Sequence, residues 1–565
     1  MKPSPSPLIA LCFCAAALCC APTGASQPSS PYAPWPNGPP AKPSFFPIAV
    51  WWQSPTATGH SGPHPTLAAA AAAAGINIFH GLSGPSGAPD SWPERFGRDE
   101  GELEAIKANQ LYVIGGINTP SDQNTSAASV ASMLALAKAI GAERNLIGYN
   151  AGDEPSCDGQ MQAVPAVVAA IGRFDPSRVV LYNHTAWMKS PQWSQCLPAS
   201  IAALRATSIG SFDLYPLTDP WLSFSPGYGG SDFESVPNDG LFLQGLTTRA
   251  LVHFGRPDQP MWAVVGAGGD NFGFSEANNT FKGAVAAGSD VLVNESGWSR
   301  FTSAWVGLVV SGAGLAPKTQ IVGVVDPTHA KLSAPASASA DKADVTVTGG
   351  AFDSDCVERV NLCIVNGNEY RPTPAQVNAE VWISLINGAR GIGYFCHDRA
   401  SYSFCLGDAA GGPAAAVAAA NLAYVNATIL KFAPALNAPT AASCSMQQQN
   451  FDSGEAWTTE SCHDGVLSMA TDNRAVPGMA MVKQLGDVIY LFAQSDRRSE
   501  AGARFTFTLS GMASKTATLV YDSNDRYDPA HSAQGFKAAL DADGRFSDTL
   551  GAHHADYQVK IYAIR

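Results

Sequence analysis

Short apolar runs alternate with longer stretches of helical period through the first half of the chain, which predicts strands and helices in turn. Phe46–Trp52 (FPIAVWW) reads as a buried strand, and the alanine run Leu67–Ala74 as a helix that Gly75 ends. Ile76–Gly81 and Leu111–Ile117 are the next two strands, with ELEAIKANQ between them and SVASMLALAKAIG after them as helices. NLIGYNAGDEP carries a fourth strand, Arg178–His184 a fifth, IGSFDLYPL a sixth and Pro260–Gly268 (PMWAVVGAG) a seventh. Helices are predicted in the gaps, around Ala163–Arg173, over IAALRAT and over GLFLQGLTTRALVHFG.

The rhythm then breaks. Residues 271–366 are rich in Gly, Ser, Ala, Val and Thr, with short β-type runs such as TQIVGVV, and they are too many for an ordinary connection. Helical spacing resumes at RPTPAQVNAEVWISLINGA, where Thr373, Pro374 and Gln376 form an N-terminal capping signature. Arg390–Asp398 (RGIGYFCHD) is an eighth strand, and an alanine-rich helix from Ala414 to about Leu430 closes the series. Eight strand–helix units predict an α/β fold, a (β/α)8 TIM barrel over residues 46–435 with the β-rich insertion after strand 7. From 438 to 565 apolar and polar residues alternate between turn signals (DVIYLFAQS, ARFTFTLSG, YQVKIYAI), the pattern of a C-terminal antiparallel β-sandwich.

The N-terminus adds an address. Lys2, the apolar Leu8–Ala21 and the small residues Thr23-Gly24-Ala25 read as a signal peptide over residues 1–25, so the protein is expected to be secreted, extracellular or periplasmic. Residues 26–45, rich in Pro and Ser, read as a linker that need not fold. No later stretch approaches the roughly 20 uninterrupted apolar residues of a transmembrane helix. With 34 Lys+Arg against 47 Asp+Glu and no basic run, the chain has no visible source of attraction for nucleic acid.

Four of the 12 cysteines fall inside the signal. The other eight form sequence-near couples, Cys157/Cys196, Cys356/Cys363, Cys396/Cys405 and Cys444/Cys462, and an even number in an exported chain favours disulfides. Connectivity is not fixed by sequence, so neighbour pairing is a working assignment. No CxxC or paired-His spacing supports zinc, and no metal or cofactor is implied.

In such a barrel, functional residues lie at the C-terminal strand ends. Those ends carry Trp51-Trp52, His80, Asn118, Asp153-Glu154, Asn183-His184, Asp213-Leu214-Tyr215 and His397-Asp398. Carboxylates, imidazoles, amides and aromatic faces around one cleft suit a sugar, because rings stack on pyranose C–H faces while polar groups bracket hydroxyls. Glycosidic cleavage needs a protonated acid at the leaving oxygen and usually a second carboxylate. Glu154 is the candidate acid, with Pro155 fixing its turn and Asp153 beside it to tune charge or bind a hydroxyl. Taken alone, Asp-Glu-Pro reads more readily as a turn that caps the following helix, and its place in the barrel register is what favours catalysis. His80, His184 and His397 each have a structural alternative as buried histidines. The candidate substrate-binding set is Trp52, His80, Asp153, Asn183, His184, Asp213, Tyr215 and His397.

GYNAGDEP, FDLYP and RPTPAQVNAEVWISLINGARGIGYFCHD together resemble the barrel of clan A glycoside hydrolases, nearest to family-42-like and cellulase-like members. The resemblance spans roughly residues 46–435. It implies that Glu154 is the acid/base, with Asp153 in the place usually held by Asn. It also implies a nucleophilic Glu at the end of strand seven, yet the sequence there is Trp262-Ala263-Val264-Val265-Gly266. Asp270, Glu369 and Asp213 are the alternatives for the second carboxylate. Retention of configuration would need carboxyls about 5–5.5 Å apart, and inversion about 6.5–9.5 Å. The rival expectation is a non-catalytic carbohydrate-binding or surface protein on a degenerate barrel. Neither sugar identity nor oligomeric state follows from the sequence.

Overall fold

The computed structural model describes residues 30–51, 67–80, 102–116, 144–155, 159–185, 196–215, 242–267, 280–295, 301, 309–326, 328–348, 362–365, 369–372, 374–395, 412–445, 447–448, 458–459, 466–473, 476, 478–495, 501–552 and 557–565. The expected signal peptide and the helix predicted over SVASMLALAKAIG lie outside them.

The first half alternates as its pattern predicts. In chain order come β1 (Ile48–Trp51), α1 (Leu67–Ala73), β2 (Ile78–His80), α2 (Glu102–Ala108), β3 (Tyr112–Gly116) and β4 (Leu146–Asp153). Then follow α3 (Gln160–Phe174), β5 (Val179–Thr185), α4 (Leu197–Ala206), β6 (Ile209–Asp213), α5 (Phe242–Phe254) and β7 (Met261–Gly266). Six antiparallel strands interrupt the series: β8 (Thr280–Val285), β9 (Val291–Asn294), β10 (Val309–Gly312), β11 (Ile321–Asp326), β12 (His329–Leu332) and β13 (Ala340–Thr348). A hairpin of β14 (Leu362–Val365) and β15 (Glu369–Pro372) leads into α6 (Pro374–Ile386), β16 (Gly391–Phe395) and α7 (Gly412–Asn437).

The strands β1-β16-β7-β6-β5-β4-β3-β2 close into one barrel, every neighbour parallel. Parallel strands covered on both faces must be apolar nearly throughout. Accordingly, no barrel strand contains a Lys or Arg. One face of each strand packs under the helices, for example Phe79, Tyr182, Phe212, Val265 and Tyr394. The other fills the barrel's lower interior with Ala49, Ile78, Ile114, Ile147, Val179, Leu181, Ile209 and Trp262.

From Ser30 on, the stretch expected to be a linker that need not fold packs against the barrel instead. Tyr32 is fully buried in the interior cluster with Phe45. The Trp262 indole donates to the Tyr32 hydroxyl at 2.8 Å, and that hydroxyl donates to the Arg390 carbonyl at 2.7 Å. The physical reason is that an open barrel end exposes its interior side chains, and the aromatic residues among the prolines cover them.

The insertion after β7 is a six-stranded antiparallel sheet in the order β10-β13-β8-β9-β12-β11, with its own core around Phe281, Leu292, Val310, Ile321 and Val345. A further bridge between Val309 and Gln320 draws its two edges together.

After the barrel come β17 (Thr440–Ser445), the short pair β18 (Gln447–Gln448) and β19 (Thr458–Thr459), β20 (Leu467–Thr471), β21 (Gly478–Leu485), β22 (Val488–Ser495) and β23 (Ala501–Leu509). They continue as β24 (Thr516–Asp522), α8 (Asn524–Tyr527), β25 (Lys537–Ala539), β26 (Arg545–Ala552) and β27 (Val559–Ile564). The sheet β17-β21-β22-β27-β24-β25 and the sheet β20-β23-β26 share a core of Leu491, Phe505, Phe507, Phe546 and Tyr562. The opposite face of the larger sheet, with Met481, Phe492, Tyr521 and Ile561, belongs to the barrel's outer core. Its central strands are therefore buried on both faces, which is why β27 is buried at every position. The Gln494 amide donates to the Ala379 carbonyl at 3.0 Å, tying β22 to α6.

Cys196 and Cys444 are each disulfide-bonded. The partners assigned to them from sequence, Cys157 and Cys462, lie outside the described residues.

Candidate active site

The C-terminal ends of β4, β5 and β6 meet at one point of the barrel mouth, and a bulge puts them there. In β4, Asn150 is level with Leu181 while Asp153 is level with Asn183, so β4 holds one residue more than β5 over the same rise. Gly152 absorbs the extra residue at φ 151°, and a Cβ there would stand 2.7 Å from the Tyr182 ring. Glycine is the residue that fits this position. The bulge turns Asp153 onto the interior and leaves Glu154 in the left-handed region at φ 39°. The Glu154 amide is tied across to the Asn183 carbonyl at 3.0 Å. Strain of this kind at a non-glycine residue collects where a side chain must be aimed.

Beneath the carboxylates lies a polar chain. The Asn183 amide donates to Asp153 Oδ1 at 2.8 Å, and the Ser211 hydroxyl donates to Asn183 Oδ1 at 2.9 Å. Asn183 and Ser211 are fully buried, so each bond fixes a group that water does not reach. Asp213 stands two residues beyond Ser211 on the same inward face of β6 and is level with Thr185 and Val264. Glu154 and Asp153 are its acidic neighbours, and Tyr215 Oη donates to Asp213 Oδ2 at 3.3 Å. Burial first, then the charges of Glu154 and Asp153, push Asp213 well above the usual carboxylate range.

The floor is aromatic. Trp51, Tyr215 and Val264 are buried together with Phe395 against them. Tyr215 stacks on Phe395 with centroids 5.1 Å apart, and Trp51 meets the His80 ring edge-on at 4.0 Å. His80 is 1% exposed, its Nε2 has no hydrogen-bond partner, and burial lowers its pKa to about 3, so the imidazole is neutral.

Of the residues expected in the site, Asp153, Glu154, Asn183, Asp213 and Tyr215 are brought together, and His80 lies in the floor beside Trp51. His184 does not join them. It alternates onto the Tyr182 face, with ring centroids 5.6 Å apart, and is fully buried there with its pKa lowered to about 4. Glu369 opens β15 opposite Val365. Trp52, Asp270 and His397 lie outside the described residues.

Two participants escaped the sequence reading. Ser211 and Val264 are legible in retrospect by counting back two from Asp213 and from Gly266. Glu380 on α6, behind the end of β7, carried no signal at all. It is fully buried, faces the Gly266 amide and is held well above the usual carboxylate range by burial. Gly266 itself ends β7 level with Phe395, without a carboxylate. Among the described residues there is no cluster of three or more His, Cys, Asp or Glu with metal-holding geometry, and no helix is long and apolar enough to cross a membrane.

No family model matches the chain, and no curated protein matches it. Solved structures do. The chain is similar in fold to a glycoside hydrolase family 5 protein from Bacteroides vulgatus, at 11% identity and a TM-score of 0.45, over 92% of this chain and 89% of that one. It is similar to an α-L-arabinofuranosidase from Thermotoga maritima at 9% identity and 0.38, over 92% and 96%. It is also similar to a family 51 α-L-arabinofuranosidase from Bifidobacterium longum at 11% and 0.41, over 94% and 97%. The similarity is one of fold.

Proposed function

We propose that the protein is an exported glycoside hydrolase that cleaves an O-glycosidic bond of a poly- or oligosaccharide, with Glu154 as general acid/base. The observation that carries this reading is the convergence of Asp153, Glu154 and Asp213 over an aromatic floor at the C-terminal mouth of the barrel. Tyr215, Phe395 and Trp51 offer apolar faces for a sugar ring, while Asp153 and the neutral His80 offer an acceptor and a polar nitrogen for hydroxyls. Export is supported by the N-terminal apolar segment and by the two disulfide-bonded cysteines.

Gly266 at the end of β7 favours a second reading, in which the barrel binds glycan without cleaving it. One assay separates the two. The purified protein is incubated with a panel of oligosaccharides and aryl glycosides, and released reducing ends are measured for wild type and Glu154→Gln. Turnover of oligosaccharides by wild type that the substitution cuts by about 10²-fold or more supports the hydrolase, and binding without turnover in both supports the alternative.

A further inference from the structure

Three consecutive residues at the end of β4 are each held by a buried asparagine. The Gly152 amide donates to Asn150 Oδ1 at 3.2 Å, and Asp153 Oδ1 accepts from the Asn183 side chain at 2.8 Å. The Glu154 amide donates to the Asn183 carbonyl at 3.0 Å. We propose that Asn150 is a positioning residue for the proton transfer, its side-chain oxygen locking the bulge in the conformation that aims Glu154 at the leaving glycosidic oxygen. The proposal rests on the hydrolase assignment above and adds to it a residue that acts through the backbone of another.

A bulge takes one residue out of the ladder and leaves it unpaired with the neighbouring strand. Here the extra residue falls between Asn150, which is level with Leu181, and Asp153, which is level with Asn183. Gly152 reaches the required φ of 151° without steric cost, and a Cβ there would stand 2.7 Å from the Tyr182 ring. Glycine reaches many other conformations as freely, so it permits the bulge without holding it. The hold has to come from a bond to its amide.

Asn150 is built to give that bond. The short carbonyl of an asparagine reaches the N–H two residues on, the geometry of an Asx turn. Asn150 is 2% exposed, so packing has already fixed the side chain that offers the oxygen. An aspartate would offer the same oxygen but add a negative charge close to Asp153. An aliphatic side chain would offer nothing.

Glu154 needs such support. It is exposed at the mouth and sits at φ 39°, so the backbone beneath it carries much of the task of aiming its carboxyl. The Asn183 carbonyl fixes that backbone on the far side of the bulge, and Asn150 fixes it on the near side. With Asn150 Oδ1 gone, Gly152 is free to turn and Glu154 moves with it.

The test is kcat/KM for wild type, Asn150→Ala and Asn150→Ser on two glycosides of one sugar. One substrate has a sugar leaving group, and the other a dinitrophenyl group that departs without protonation. The variants differ by one hydroxyl, which accepts from the same amide more weakly than an asparagine does. Misaiming the acid should cost Asn150→Ala about 10²-fold with the sugar leaving group. With the dinitrophenyl group the loss should stay under about tenfold. Asn150→Ser should recover part of the selective loss. A variant that merely loosens the fold loses on both substrates alike. Equal losses in Asn150→Ala, no loss in it, or a serine variant no better than the alanine one overturns the proposal and leaves the hydrolase assignment intact. If Asn150→Ala does not fold, Asn150→Ser decides alone, a loss confined to the sugar leaving group supporting the proposal and any other result overturning it. Absence of wild-type turnover on every glycoside overturns the assignment and the proposal together.

Discussion

Asn183 holds Asp153 by a 2.8 Å bond from its buried amide, and it can do so because Ser211 occupies the other end of that amide at 2.9 Å. The chain runs across three adjacent strands and sets which of the mouth's carboxylates is tied down. Asn183→Ala should therefore destabilise the protein by about 1–3 kcal/mol, the usual cost of leaving buried polar groups unpaired. Ser211→Ala should cost less, since it removes only the outer bond. Chemical denaturation of both variants checks the order, and equal losses would contradict it.

The strain at Glu154 predicts opposite effects on stability and on function. Glu154→Gly should leave stability unchanged or raise it by about 1 kcal/mol, because glycine adopts φ 39° freely, while abolishing turnover. Gly152→Ala should do the reverse to stability, a loss of about 1–3 kcal/mol, because of its φ of 151° and the Tyr182 ring 2.7 Å from the new Cβ. Thermal melts of the pair provide the check.

Sequence pattern alone located every barrel strand, because parallel strands buried on both faces leave continuous apolar runs such as Met261–Gly266 that little else produces. It placed Glu154 and Asp213 at strand ends. It did not show how the end of β4 is turned. The bulge at Gly152 changes which residues face inward, and an Ala-Gly pair carries no periodic signal to reveal it. For the same reason His184 looked like a neighbour of Asn183 in the site, whereas alternation sends it to the helix side. The Pro-rich stretch before the barrel was misleading in a different way. Its composition resists regular structure, but Tyr32 and Phe45 need only a cavity to fill, and the open barrel end provides one.

That plug gives a prediction about the fold. Tyr32→Ala should cost about 3–5 kcal/mol, as for loss of other large core aromatics. Tyr32→Phe should cost about 1–3 kcal/mol, because the Trp262 indole and the Arg390 carbonyl lose their partner. Denaturant midpoints for both test it, and a free linker would give no change in either.

The two buried histidines set the acid limit. His80 and His184 have their pKa values lowered by burial to about 3 and about 4, against an ordinary value near 6.5. Below that ordinary value the unfolded chain takes up protons that the folded chain refuses. Their contribution to stability is therefore complete above about pH 6.5 and declines as pH falls toward the folded values. Asp213 acts in the opposite sense to an ordinary paired carboxylate. Its raised pKa means that the folded state keeps a proton the unfolded state releases, so stability falls as pH rises through that value. Asp213→Asn should accordingly gain stability over wild type as pH increases, and melting temperatures across pH 4 to 9, about the practical range for such proteins, will show whether it does.

The central claim is that Glu154 supplies the proton to a leaving sugar, and leaving-group dependence tests it most directly. For a glycoside the wild type cleaves, kcat/KM is compared between wild type and Glu154→Gln on two substrates, one with a sugar or alkyl leaving group and one with a dinitrophenyl leaving group that departs without protonation. Loss of proton donation should cost about 10²–10⁴-fold on the first and under about tenfold on the second. Equal losses on both substrates, or none on either, would contradict the claim.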